Sequence, residues 1–230
     1  MAAAPAPSSP SACGDVRLAS ALLAAAVLAT PGGPAAAHHL GVIVPRDDEV
    51  TLVFKRIQGF LKERRFDLAT KECEATPLGR RLAEVSGPGA PDVRAELRAA
   101  LARRDAAGTE LALARFFLVL LRGLLGEALG RVNDGGLAER TKADQSLKLL
   151  AAGWRYYNLV DYTLYQRDVK AALRVRLAFE DAEAALGGSR AQQARFDEAA
   201  ARLALERFRA LASEILEGTA PAAGAEGKRP

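Results

Sequence analysis

Histidine occurs only twice in these 230 residues, as His38 and His39, and cysteine only twice, as Cys13 and Cys73. Beyond residue 39 there is no imidazole, which excludes Ser-His and Cys-His nucleophile systems from the body of the chain. No other histidine can complete a buried metal site with the His38-His39 pair. Aromatics make up 6% and there is a single tryptophan. A P-loop, a G-x-G-x-x-G after a strand, and a C-x-x-C are all missing. Regularly alternating apolar and polar residues, the mark of half-buried strands, are also scarce.

Charge of either sign is not scarce. The chain carries 32 basic and 28 acidic residues, a net charge of +4. The two signs are interspersed, so the excess does not single out a nucleic-acid partner. What is there first is an address. Leu18–Thr30 is an apolar run of 13 residues that follows Arg17, and Pro31-Gly-Gly-Pro34 then leads into Ala35-Ala36-Ala37. A polar leader, a short apolar core and an A-x-A end form the pattern of a cleaved export signal over residues 1–37. The run is shorter than the roughly 20 residues of a spanning helix. Processing would leave 193 residues starting at His38, in the periplasm or outside the cell. Met1-Ala-Ala-Ala4 with proline and serine is also how a plastid transit peptide can begin, with Leu18–Ala37 as a second, lumenal signal. Cys13 precedes the apolar run, so it is not placed as a lipid-anchor cysteine. Cys73 is then left alone in the processed chain, where it reads as a small buried apolar residue.

Residues 38–46 read as an extended arm closed by Pro45, and residues 218–230 as a disordered tail of alanine, glycine, proline and charge. Between them, 47–217 has the spacing of helices. Val50, Val53, Phe54, Ile57, Phe60 and Leu61 line one face after Asp47-Asp48. Short helices follow from Asp67 and from Pro77. Another runs from Pro91-Asp92 to about Ala107, with Gly108-Thr109 as turn and cap. Glu110–Val132 is the most apolar segment. Arg115, Arg122 and Glu127 interrupt it, which argues for the centre of a bundle rather than a membrane span. Asn133–Gly136 is a turn. Leu137–Tyr165 carries an inward stripe of Leu147, Leu150, Ala151, Trp154, Tyr157, Asp161 and Leu164. Asp168 caps a helix over Val169–Leu186, and Ser189 caps a last one over Arg190–Leu216. An echo between Leu101–Phe116 and Leu164–Phe179 fits two related hairpins or simply shared capping chemistry. The expected fold is all-α: an up-down helical bundle of four to five long helices with short helices at one end.

Three constellations could carry chemistry. A free terminal amine with His38 or His39 would offer nitrogen ligands suited to copper(II). Glu110, Glu127 and Asp161 could form a carboxylate-only metal site inside the bundle, although the Glu-x-x-His of bundle di-metal sites is missing. Trp154, Tyr157 and Tyr165 share a helical face and could line a pocket. A tight turn near residues 134–136 also brings Asp161 within reach of Arg115, predicting that Arg115 meets Asp161, as a structural ion pair, or a tyrosine hydroxyl, with Arg122 exposed or paired elsewhere.

The hairpin from Tyr157 to Leu186 resembles the last hairpin of PsbQ-like lumenal bundles through Leu159-Val-Asp-Tyr162, Arg167-Asp168 and Ala185-Leu186. It is also similar to helical domains attached to bacterial iron permeases. The extra helix over Arg190–Leu216 departs from the PsbQ-like pattern, and the chain is assigned to neither family. The leading functional expectation is an exported, non-enzymatic binding or assembly subunit of the cell envelope with a protein partner and no membrane span. The alternatives are a periplasmic copper- or iron-handling protein, and a thylakoid-lumen bundle docking on a photosynthetic complex, which is what the PsbQ-like resemblance implies.

Overall fold

A computed structural model describes residues 48–85, 91–188 and 195–219. The export signal (1–37), the extended arm (38–46) and the tail from residue 220 lie outside the described residues, as do His38 and His39. Eight α-helices and no strand occur among the described residues, so the chain is all-α there.

The first four helices are short. α1 (Glu49–Lys62) starts where the Asp48 carboxylate accepts the Thr51 N–H at 2.7 Å, and it buries Val53, Phe54, Ile57 and Leu61. It ends at Arg64, whose backbone is left-handed (φ 57°), with the Arg65 N–H bonding back to the Phe60 carbonyl at 2.8 Å. α2 (Phe66–Glu74) begins one residue before the expected Asp67. α3 (Pro77–Val85) starts on its proline, where a missing N–H costs nothing. α4 (Val93–Ala102) is capped by Asp92, which accepts from the Ala95 N–H.

α5 (Ala106–Val132) begins earlier than the glycine at 108 suggests. The break lies at Arg104, again left-handed (φ 53°), and the cap is Asp105, whose Oδ1 accepts the Gly108 N–H at 2.9 Å. Gly108 is therefore inside the first turn. A Cβ there would overlap the Asp105 carboxylate, so glycine at this position makes room for the cap and does not break the helix. The same six-residue loop-back, from the Asp105 N–H to the Ala100 carbonyl at 3.0 Å, closes α4.

Three long helices complete the fold: α6 (Glu139–Arg167), α7 (Val169–Ala185) and α8 (Glu198–Gly218). Asp168 alone joins α6 to α7. Its N–H closes α6 on the Leu164 carbonyl, and its carboxylate opens α7 on the Ala171 N–H. The Leu101 and Leu164 corners thus share an aspartate cap but not a backbone path. Asp197 caps α8, which continues past the expected end at Leu216, and the expected cap at Ser189 lies outside the described residues.

α5 is the centre. Ten consecutive residues, Ala112–Leu121, are buried, because α6, α8 and α4 pack around it, with α1 and α3 touching it as well. α7 packs on α6 and α8, while α1, α2 and α3 pack on one another. Phe116, Phe117, Leu120, Leu121 and Leu125 are buried as the apolar pattern predicts. Leu124 is only half-buried. The stripe on α6 is rotated from the expected one. Leu149, Gly153 and Val160 face inward and Ala151 faces solvent, because α6 must satisfy α5 on one side and α7 on the other. At Gly153 a Cβ would stand 2.7 Å from Leu121 Cδ1, so glycine here leaves room for Leu121 of α5 to pack against α6. No described helix is long and apolar enough to cross a membrane.

A left-handed backbone costs a residue with a Cβ roughly 1–2 kcal/mol. Arg64 and Arg104 are both exposed, so their side chains contribute little in return. Replacing Arg104 by glycine should stabilise the protein by about 1 kcal/mol in chemical denaturation. Arg103→Gly, at an ordinary right-handed position (φ −78°), should lower stability instead.

Candidate functional site

Arg115 lies in the buried stretch of α5 and is 3% exposed. It does not meet Asp161. Its Nη2 donates to Glu96 Oε1 at 3.2 Å, and its Nε stands 2.8 Å from Glu96 Oε2, too poorly aligned to count as a hydrogen bond. Nη1 donates to the Leu216 carbonyl at 2.6 Å and lies 3.4 Å from Thr219 Oγ1. One side chain thus ties α5 to α4 and satisfies a carbonyl in the last turn of α8. The expected pairing took the partner from the sequence-adjacent helix. α5 is wrapped on every side, and Arg115 points toward α4 and α8.

Asp161 instead pairs with Arg176 across the α6–α7 hairpin, Nη2 to Oδ2 at 2.5 Å. Its Oδ1 is buried without a hydrogen-bond partner. Beside it the Tyr157 hydroxyl donates to the Ala172 carbonyl at 3.2 Å. Burial, and then the Asp161 carboxylate, hold that hydroxyl well above the usual tyrosine range. Trp154 stacks on Phe179 and on Tyr157, with ring centroids 4.3 and 5.3 Å apart. Trp154 and Tyr157 are therefore a packed stack, and Tyr165 is not part of it. Eight residues of helix turn Tyr165 roughly 80° away from Tyr157, and it is 39% exposed. The cavity in this region is a cleft of about 380 Å³ where the α6–α7 corner meets the end of α8. Tyr157, Leu164 and Ile215 line its apolar side, and Arg167, Arg174 and Glu214 its polar side. Arg174 and Glu214 close the α7–α8 side with two 2.7 Å hydrogen bonds, and this pairing holds the Glu214 carboxyl below the usual carboxylate range.

Three further polar ties were not legible in the sequence. The Lys142 ammonium, nearly buried, meets Glu198 at the start of α8 at 2.7 Å. Ser146 donates to the Ala128 carbonyl at 3.1 Å. Tyr156 donates to Asp48 Oδ2 at 2.7 Å, and burial together with that carboxylate raises its hydroxyl strongly. Lys142 and Ser146 are four residues apart on an otherwise apolar face, which was the available signal.

Glu110, Glu127 and Asp161 do not form a metal cluster. No group of three or more His, Cys, Asp or Glu suited to holding an ion occurs among the described residues. The carboxylates project from different faces of α5 and α6, and Asp161 is held by Arg176. Cys73 is buried, and its thiol is pushed up to about 12 chiefly by burial, then by Glu72 and Glu74. It therefore stays protonated at neutral pH and packs as an apolar residue.

The surface feature that the sequence reading missed lies on the α6–α7 hairpin. Seven large apolar side chains are exposed among the described residues, and five of them fall between 162 and 177: Tyr162, Tyr165, Val169, Leu173 and Leu177. Tyr162 is 74% exposed and Leu177 60%. Val169, Leu173 and Leu177 recur every four residues, so they share one outward stripe of α7. That recurrence was visible in the sequence, but only packing shows that the stripe faces away from the core. Comparison with protein-family models, with curated proteins and with solved structures finds no match for this chain.

Removing Glu96 strands a buried guanidinium. Glu96→Ala should destabilise by about 2–4 kcal/mol, somewhat under the fully buried range because the Glu96 side chain is 22% exposed. Arg115→Met combined with Glu96→Leu should cost less than the single substitution, and a double-mutant cycle measures the coupling. Tyr156 and Tyr157 retain protons in the folded chain that the unfolded chain releases. Their stabilisation is complete below the unfolded tyrosine value, about 10, and is lost as pH rises above it. Denaturation midpoints should therefore fall above about pH 10, and Tyr156→Phe should flatten that fall.

Proposed function

We propose that this chain is an exported, non-enzymatic binding or assembly subunit of the cell envelope, an up-down bundle of α5–α8 with α1–α4 packed at one end. The observation that carries the reading is the apolar outer face of the α6–α7 hairpin. A solvated helix gains nothing from Leu173 and Leu177 standing in water, and an exposed apolar patch of this kind is what a docking surface needs. The hairpin is firmly set, by the Asp168 joint, the Asp161–Arg176 pair and the Trp154–Phe179 stack. A preorganised face spends little entropy on binding. The leader supports export, and the polar ties described above join helices to one another, as in a structural scaffold.

The test has two parts. In its own cells, the protein should be recovered from the envelope compartment with its N-terminus at or next to His38. A photo-crosslinking residue at Tyr162 should give adducts of higher mass there, while the same residue at exposed Arg207 on α8 should not. Recovery of an uncut Met1 form in the cytosol as the main species, or identical adducts from both positions, overturns the proposal.

A further inference from the structure

The stripe on α7 continues beyond its apolar part, and its charges are sorted along the helix. Lys170, Arg174 and Arg176 lie in the first half, and Glu180, Asp181 and Glu183 in the second. Val169, Leu173 and Leu177 stand at the outward surface, followed on the same stripe by exposed Glu180 and Ala184. Arg174 is held by Glu214 on α8, and Arg176 by Asp161 on α6. Lys170, Glu180 and Asp181 are exposed and have no ion-pair partner among the described residues.

This pattern complements itself. When two copies of α7 cross antiparallel about a two-fold axis near Val175, Leu173 of one copy falls against Leu177 of the other. Lys170 then falls beside Glu180 and Asp181. The two-fold generates each contact twice, as an isologous interface requires. A parallel crossing would set Lys170 beside Lys170 and the acids beside the acids, which is unfavourable. An anionic lipid surface is a poorer match, because Glu180 and Asp181 lie on or next to the apolar stripe and would be pressed against like charge. Tyr162 and Tyr165 on the neighbouring α6 widen the apolar face with rigid side chains that lose little entropy on contact. We infer that the occupant of the α6–α7 outer face is a second copy of this chain, docked antiparallel through α7 as a two-fold dimer. The inference rests on the reading of that face as a docking surface and names its partner.

Sedimentation of the native protein purified from its own cells should show a monomer–dimer equilibrium between about 5 and 500 µM. Leu173→Lys with Leu177→Lys should leave only monomer. Lys170→Glu alone, and Glu180→Lys with Asp181→Lys alone, should each weaken the dimer by at least about tenfold, because the two-fold sets like charges against each other twice. Mixing these two charge-reversed proteins should restore association as a one-to-one heterodimer, because every reversed contact is then matched. Circular dichroism identical to the parent shows that each variant is folded. A parent that stays monomeric throughout the range, a dimer that Lys170→Glu leaves unchanged, or a mixture that fails to associate overturns the inference. If the parent is monomeric and Tyr162 still crosslinks in the envelope to a protein of another mass, the docking face stands and its occupant is that other protein. If the parent dimerises as described and Tyr162 gives only the doubled mass, the second copy is confirmed and docking on a different envelope protein is rejected.

Discussion

Burying the middle of a 27-residue helix on all sides requires neighbours on all sides, and that requirement organises the rest of this structure. α5 has no strongly one-sided apolar stripe to lay on a single partner. It stays out of water only because α6, α8 and α4 close around it together. Each of those helices needs only one apolar face, so each can keep a polar side toward solvent. Removal of any one would expose a strip of phenylalanine and leucine that no local rearrangement could cover.

The same constraint explains the arginine in so apolar a segment. A guanidinium inside a wrapped helix must bring its own partners or be expelled. Arg115 takes both a carboxylate, Glu96, and a backbone carbonyl, Leu216, and in doing so ties the first turn of α4 and the last turn of α8 to α5. Lys142 with Glu198 does similar work near the opposite end of α8. The polar ties are few, but they connect helices that are distant in sequence, which apolar packing alone would leave free to slide.

Much of the helical layout was legible in the sequence, because aspartate caps and apolar steps of three and four are local signals. Asp48, Asp92 and Asp168 were read correctly for that reason. The α4–α5 corner was misplaced because Gly108 looks like a breaker, while the true break uses an arginine at 104 in a left-handed turn that composition does not mark. Partners of buried charge were not legible. Arg115 could be recognised as needing one, but the choice of Glu96 over Asp161 depends on which helices wrap α5, a tertiary fact. The outward stripe of α7 fell between these cases. Its period was visible, but whether a period faces core or solvent is decided by neighbours, and Trp154 and Phe179 had already filled the inner side.

Asp168 is the whole connection between two helices of 29 and 17 residues, and it serves as the end of one and the start of the other. A proteolytic enzyme needs a stretch of chain that can be drawn out into its groove, and a joint of one residue capped on both sides offers none. Cleavage there must wait for the hairpin itself to open, so resistance of this corner to a protease is set by how often the hairpin opens and not by the accessibility of its surface.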